Sequence, residues 1–264
     1  MSGSWKNNTK IKRLMAEGRG QGVGSDYIPW IKTNEFSSKG RATRIFGVKT
    51  GRLHHLNSDN QYRAFLTFEF ANQVLDLRES YPLLDVMEVI DEKDDLRFDK
   101  FQDKETREGY VITTNFLLTV KEPGGNEKFV ARTVKNTSEL KRKITWEKLE
   151  IERRYWLNRQ VDWKVLTEKQ LPRQLAKNIE WVRETLLGSE GNLDKEQLSI
   201  TLLKYFLEND EFPLKEVLKS FDKQEGLQKG SGLFLFRYLL AKKEIRVDMS
   251  KTIDLSTNVK NLLL

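Results

Sequence analysis

Hydrophobic and polar positions alternate along this chain with two different periods, and the switches between them outline its architecture. Thr9 to Gly18 has a helical period, with Ile11, Leu14 and Met15 on one face of a basic segment. Gly18-Arg-Gly-Gln-Gly-Val-Gly24 follows, dense enough in glycine to be either a flexible connector or a phosphate cradle. No Gly-Lys-Ser/Thr comes after it, so it is not a P-loop. Tyr27-Ile-Pro-Trp30 reads as an apolar anchor. Arg41 to Val48 alternates as a strand, Lys49 to Arg52 as a turn, and Ser58-Asp59 caps a helix running to about Phe70. Val74 to Arg78 is a short strand, ended near Pro82, and 91–108 is polar enough to be a loop.

Tyr110 to Val120 and Lys128 to Val134 are β-rich runs on either side of Glu122-Pro-Gly-Gly-Asn126, a turn signal that predicts an antiparallel hairpin. Ser138 can cap a helix reaching about Arg159, with Leu140, Ile144, Leu149, Ile151, Tyr155 and Trp156 on its apolar side, and Val161 to Leu166 is another strand. Helix, strand, turn, strand, helix, strand predicts an α/β core with a mixed sheet. Pro172 marks a domain boundary, separating 1–170 from 171–264. Beyond it, Asn178 to Leu187 is helical, Gly188 to Gly191 breaks the pattern, and three helical patterns follow near 194–208, 213–221 and 232–242. Glu244 to Asp248 and Lys251 to Leu255 read as two short strands, so the last third has a winged-helix outline.

Charge adds a direction to this picture. The net charge is +7, which favours a polyanionic partner. Residues 1–60 carry a net +7, 61–120 a net −6, 121–180 a net +6, and 181–264 none. An acidic segment between two basic ones suits a DNA-contacting region with a site inside it; the neutral last third suits a protein partner and counts against a DNA-binding regulator there. The chain has no cysteine, which excludes disulfides and thiolate metal sites and makes a reducing cytoplasm its simplest home. No run of 18 apolar residues and no apolar leader point to a membrane or to secretion.

Metal-dependent nucleases place an acid on one strand, a lysine at the end of the next and acids on flanking helices. Lys135 ends a predicted strand across the hairpin from Asn115, Glu152 lies on the following helix and Gln61 on the preceding one. The arrangement is the expected one, but two of the four positions carry amides. Taken alone, Lys135 reads as a surface lysine and Glu152 as part of an ion-paired helix face. His54 and His55 are the only histidines, and adjacent side chains diverge, so packing or phosphate contact fits them better than a metal. Trp146, Tyr155 and Trp156 could stack on bases, although helical spacing makes core residues of them first.

Several segments decide among these readings. His54-His-Leu-Asn-Ser-Asp-Asn-Gln61, Val74-Leu-Asp-Leu-Arg-Glu79, Glu147-Lys-Leu-Glu-Ile-Glu-Arg-Arg-Tyr-Trp156, Glu17-Gly-Arg-Gly-Gln-Gly22, Asp26-Tyr-Ile-Pro-Trp30 and Asn178-Ile-Glu-Trp181 lie in order at family spacing. Through them the chain resembles the TnsA family, the endonuclease subunit of heteromeric bacterial transposases. The resemblance implies a restriction-endonuclease-like core followed by a mostly helical, winged-helix-like domain. It also implies cleavage at the 5′ ends of the element, beside a DDE transposase and under a regulatory ATPase. The implied catalytic positions are 61, 115, Lys135 and Glu152. Mg²⁺ (or Mn²⁺) would be held by residues 61, 115 and Glu152 with the Val134 carbonyl, and Lys135 would position water or stabilise the attacked phosphate. Where the family has Glu and Asp this chain has Gln61 and Asn115, and Thr133 replaces a Gln. Two isosteric exchanges that remove charge read as deliberate inactivation or, alternatively, as a naturally inactive relative; the alternative function is a non-enzymatic DNA-binding assembly factor of the transposition complex, and Thr133 reads as divergence. Arg19, Arg41, Arg44, Arg52, His54 and His55 are the expected contacts to transposon-end DNA.

Overall fold

The computed structural model describes residues 8–35, 40–102, 109–188 and 194–264. Part of the polar loop before residue 109 and most of the glycine break after 188 lie outside the described residues. The chain divides into two compact units, residues 1–171 and 172–264.

Unit 1 opens with helix α1 (Thr9–Ala16), capped by the Asn8 side chain, which accepts from the Ile11 N–H at 3.0 Å. A hairpin of β1 (Thr43–Phe46) and β2 (Leu53–Leu56) follows, pairing Arg44 with His55 and Ile45 with His54. The two histidines therefore sit on a strand. The Ser58 hydroxyl accepts from the Gln61 N–H at 3.2 Å and starts α2 (Asp59–Phe70), as its position at the head of the pattern predicts.

The main sheet has the order β3-β4-β5-β6, formed by β3 (Val74–Pro82), β4 (Thr113–Lys121), β5 (Glu127–Val134) and β6 (Asp162–Leu166). The first two pairings are antiparallel and β5–β6 is parallel, so the sheet is mixed. The predicted hairpin turn closes through the Glu122 N–H on the Asn126 carbonyl, with Gly125 at φ +88°. Strand β3 continues beyond Arg78 and ends at Pro82, where its end was expected. Its charged residues are paired inside the protein instead of marking a surface: Arg78 lies 3.2 Å from Asp76, and Glu79 is buried against Arg52.

Successive residues of β4 point to opposite faces. Phe116 meets Phe68 of α2 edge-on at 5.4 Å, whereas Leu117 joins Ala131 and Ile151 on the other face. That second face is covered by α4 (Lys143–Asn158), through Ile151, Tyr155 and Trp156, and by the short helix α3 (Val86–Val89). The sheet is thus sandwiched between helices. Each large apolar side chain buried there contributes about 1.5–3 kcal/mol. The helix expected from Ser138 is interrupted: a 3₁₀ turn (Glu139–Lys141) precedes α4, and Arg142 between them is extended. Tyr155 and Trp156 are core residues, while Trp146 is 57% exposed.

Unit 2 is helical: α5 (Arg173–Leu187), α6 (Lys195–Glu208), α7 (Leu214–Gln224), α8 (Ser231–Lys242) and the short α9 (Val259–Leu262). Val182, Leu202, Phe206, Phe221, Leu235 and Phe236 form its buried centre. The expected β pair at 244–248 and 251–255 does not form. Asp248 and Asp254 each accept the N–H two residues on, at 3.0 and 2.9 Å, and bend the chain into turns. The Asn178 amide takes the Met249 and Lys251 carbonyls at 2.9 and 2.6 Å. The Leu255 and Thr257 carbonyls accept the first N–H groups of α7, which Pro213 leaves without a side-chain cap. The segment satisfies neighbouring backbone groups instead of building a wing.

Candidate nuclease-type site

The site lies where β4 begins and β5 ends, between the start of α2 and the middle of α4. Strands β4 and β5 pair as far as Phe116↔Arg132. Past that point the Val134 N–H donates to the Asn115 side-chain oxygen at 2.7 Å. Lys135 follows, its own N–H held by the Leu166 carbonyl at 2.9 Å and its ammonium 3.7 Å from Glu139. On α2, Gln61 turns its side-chain oxygen to the Asn57 N–H at 2.8 Å. Its neighbour Asn60 donates to Asn136 at 2.5 Å, fixing the head of α2 beside the end of β5.

Glu152 is fully buried on α4. One carboxylate oxygen accepts from the Thr114 hydroxyl at 3.0 Å and from the Thr133 hydroxyl. Trp156 and Trp163 donate in turn to those two hydroxyls, at 2.8 and 3.0 Å, which fixes their orientation. The other carboxylate oxygen has no hydrogen-bond partner and faces the Lys148 ammonium at 3.5 Å. Lys148 also donates to the Thr113 carbonyl at 3.0 Å. Burial pushes the Lys148 pKa down, opposed by Glu152 and reinforced by the nearby Lys135 charge. Sequence reasoning brought Asn115, Val134, Lys135 and Glu152 to one place but missed Lys148, Thr114 and the work of Thr133. Lys148 was legible as the i,i+4 partner of Glu152.

These side chains do not fit a divalent cation. Mg²⁺ requires hard, preferably anionic, oxygen ligands. The oxygens of Gln61 and Asn115 are already committed to backbone N–H groups, and Glu152, the carboxylate of the set, is engaged by two hydroxyls and a lysine. Among the described residues no three His, Cys, Asp or Glu side chains form a metal-binding group.

A second buried network stands behind the site. Glu79 accepts both Arg52 guanidinium nitrogens at 2.9 and 2.6 Å, His54 Nδ1 lies 2.8 Å away, and the His55 N–H donates at 3.0 Å. Burial pushes the Glu79 carboxyl up, but the bonds from His54 and Arg52 outweigh it and hold the pKa at about 2. His54 Nε2 closes on the Thr50 hydroxyl at 2.6 Å. Gly47 stands over that contact: a Cβ there would come within 2.5 Å of Thr50 Oγ1 and 2.6 Å of His54 Nε2. Gly47→Ala is therefore expected to lower stability by about 1–3 kcal/mol, as overpacking does, read as a drop in Tm.

The expected DNA contacts separate by burial. Arg41 and Arg44 are exposed. Arg19, Arg52 and His54, expected as phosphate contacts, are buried and paired within the protein. Arg19 is clamped on Glu35 and reaches the Trp30 carbonyl at 3.3 Å, so the arginine of the glycine-rich loop is held by partners within the protein. His55 is half-buried, accepting from the Thr33 N–H at 3.2 Å, and burial lowers its pKa. All three inward turns trade hydration for buried partners that the local sequence does not display.

A mixed sheet between helices, with a lysine at one strand end and a carboxylate on the following helix, defines a restriction-endonuclease-like α/β protein with a helical second unit. Two family models match it: TnsA-like endonuclease N terminal over residues 71–168, and TnsA endonuclease C terminal over residues 170–249. Transposon Tn7 transposition protein TnsA of Escherichia coli is 35% identical over 248 residues, covering 93% of this chain and 88% of that protein. The chain belongs to the TnsA family, that of an endonuclease subunit of transposition. Among the described residues no helix is long and apolar enough to cross a membrane.

Proposed function

We propose that this chain takes the place of the 5′-end nuclease in a cut-and-paste transposase complex but does not cut. It binds transposon-end DNA beside a DDE transposase, in the cytoplasm, and its second unit docks the regulatory ATPase. The observation that carries the silent-site reading is the commitment of the Gln61 and Asn115 oxygens to the Asn57 and Val134 N–H groups. That leaves one carboxylate, already neutralised by Lys148, where two-metal hydrolysis needs several. Exposed Arg41 and Arg44 support the DNA contact, and exposed Ile200, Leu207 and Phe212 on unit 2 support a protein contact.

The test supplies labelled transposon-end duplex, the partner transposase and Mg²⁺. The chain is expected to enter the complex and leave the 5′ ends intact. Cleavage of the 5′ strands would overturn the silent-site reading, and failure to enter the complex would overturn the subunit assignment.

A further inference from the structure

The two amides do more than remove charge; their orientation reverses what the site offers to a ligand. An amide oxygen and nitrogen have nearly the same shape, so hydrogen-bond partners must assign them. Here the assignment is forced. The group facing Asn115 is the Val134 N–H, and the group facing Gln61 is the Asn57 N–H. Each is a donor, so each must meet the amide oxygen. The –NH₂ ends consequently point away from these contacts, and among the described residues neither finds an acceptor. A carboxylate in the same rotamer would present a second oxygen in place of each –NH₂ group. One presents an acceptor to a cation, the other a donor to an anion.

The lysines complete the set. Lys135 follows Val134 directly, and Lys148 reaches the Thr113 carbonyl at 3.0 Å, two residues before Asn115. Against them inside the site stands the single Glu152 carboxylate, which the Thr114 and Thr133 hydroxyls engage on its other oxygen. The half-exposed Glu139 at the rim pairs loosely with Lys135 at 3.7 Å. Two amide donors and two ammonium groups against the buried Glu152 and the rim carboxylate of Glu139 leave an excess of hydrogen-bond donors with no excess negative charge. That composition matches a singly charged tetrahedral oxyanion rich in acceptor oxygens.

We infer that the start of β4 and the end of β5 form a metal-independent phosphate site, in which the Gln61 and Asn115 –NH₂ groups with Lys135 and Lys148 hold a phosphodiester of DNA directly. The inference rests on the DNA-binding subunit proposed above. It deepens that proposal by naming how the same site meets the backbone. The amides and lysines fill the role that metal ions fill between carboxylates and phosphate in a cutting site.

The test measures binding of the full chain to a short labelled duplex by fluorescence anisotropy, at matched ionic strength, with EDTA or with Mg²⁺. The unaltered chain is expected to bind equally well in both. Gln61→Glu with Asn115→Asp keeps the shape and puts two anions against the phosphate. At a few ångströms that repulsion should weaken binding in EDTA by about tenfold or more, and Mg²⁺ should recover most of the loss. A second variant, Lys135→Gln, should lower the slope of log affinity against log salt by about one. If the unaltered chain needs Mg²⁺ to bind, or the double variant binds as tightly in EDTA, the phosphate site is wrong while the DNA-binding subunit stands. If the unaltered chain binds no DNA in either buffer, the proposed function falls with it.

Discussion

The paired substitution Gln61→Glu and Asn115→Asp is expected to give Mg²⁺-dependent cleavage at the 5′ transposon ends, with the partner transposase present. Each single substitution should leave the protein nearly silent. The gain should exceed either single change by roughly a hundredfold or more, the scale on which individual catalytic groups act. Both oxygens are needed because the remaining carboxylate, Glu152, is buried and held by Thr114, Thr133 and Lys148. Adding Lys135→Ala should abolish cutting again without unfolding the chain, since Lys135 is not fully buried and its ammonium has only a loose partner in Glu139. Strand cleavage on labelled ends measures all of these. A double variant that joins the complex and binds DNA yet never cuts would show that the site has diverged further. Thr133, whose hydroxyl is spent on Glu152, would be the first position to change, and the chain would stand as an assembly factor.

The second large effect concerns stability. Arg52→Ala leaves Glu79 buried without its main cation, and breaking such a pair costs about 3–5 kcal/mol. Calorimetry should show Tm falling by about 6–20 °C, at roughly 2–4 °C per kcal/mol for a chain of this size. A shift of no more than a degree or two would mean that His54 alone can hold the carboxylate. The same network sets a pH dependence. The Glu79 carboxyl is held at about 2, below its unfolded value. A depressed carboxylate stabilises the fold above the unfolded pKa of about 4.3, and that stability is lost as pH falls toward 2. Denaturation midpoints should therefore decline between those limits, and Glu79→Gln should flatten the decline.

These two networks also show where local reading reaches its end. The Ser58 cap of α2, the turn at 122–126, the helical periods of unit 2 and the i,i+4 spacing of Lys148 and Glu152 are all encoded within a few residues. Capping, turn chemistry and amphipathic period act over that range, so the sequence displays them. The family segments likewise placed residues 61, 115, 135 and 152 on elements that the fold brings to one end of the sheet.

Other features depended on partners far along the chain. Arg19 and Arg52 look like surface cations until Glu35 and Glu79, 16 and 27 residues away, draw them inside. The segment after α8 has strand-like composition. Its backbone groups are claimed by Asn178 and by the head of α7 before any wing can pair. Above all, the sequence by itself determined that Gln61 and Asn115 carry no charge. Only the tertiary structure decided which end of each amide faces outward. A backbone N–H holds each oxygen, so the donors are left for a ligand. That choice belongs to a hydrogen-bond geometry which the chain acquires only on folding.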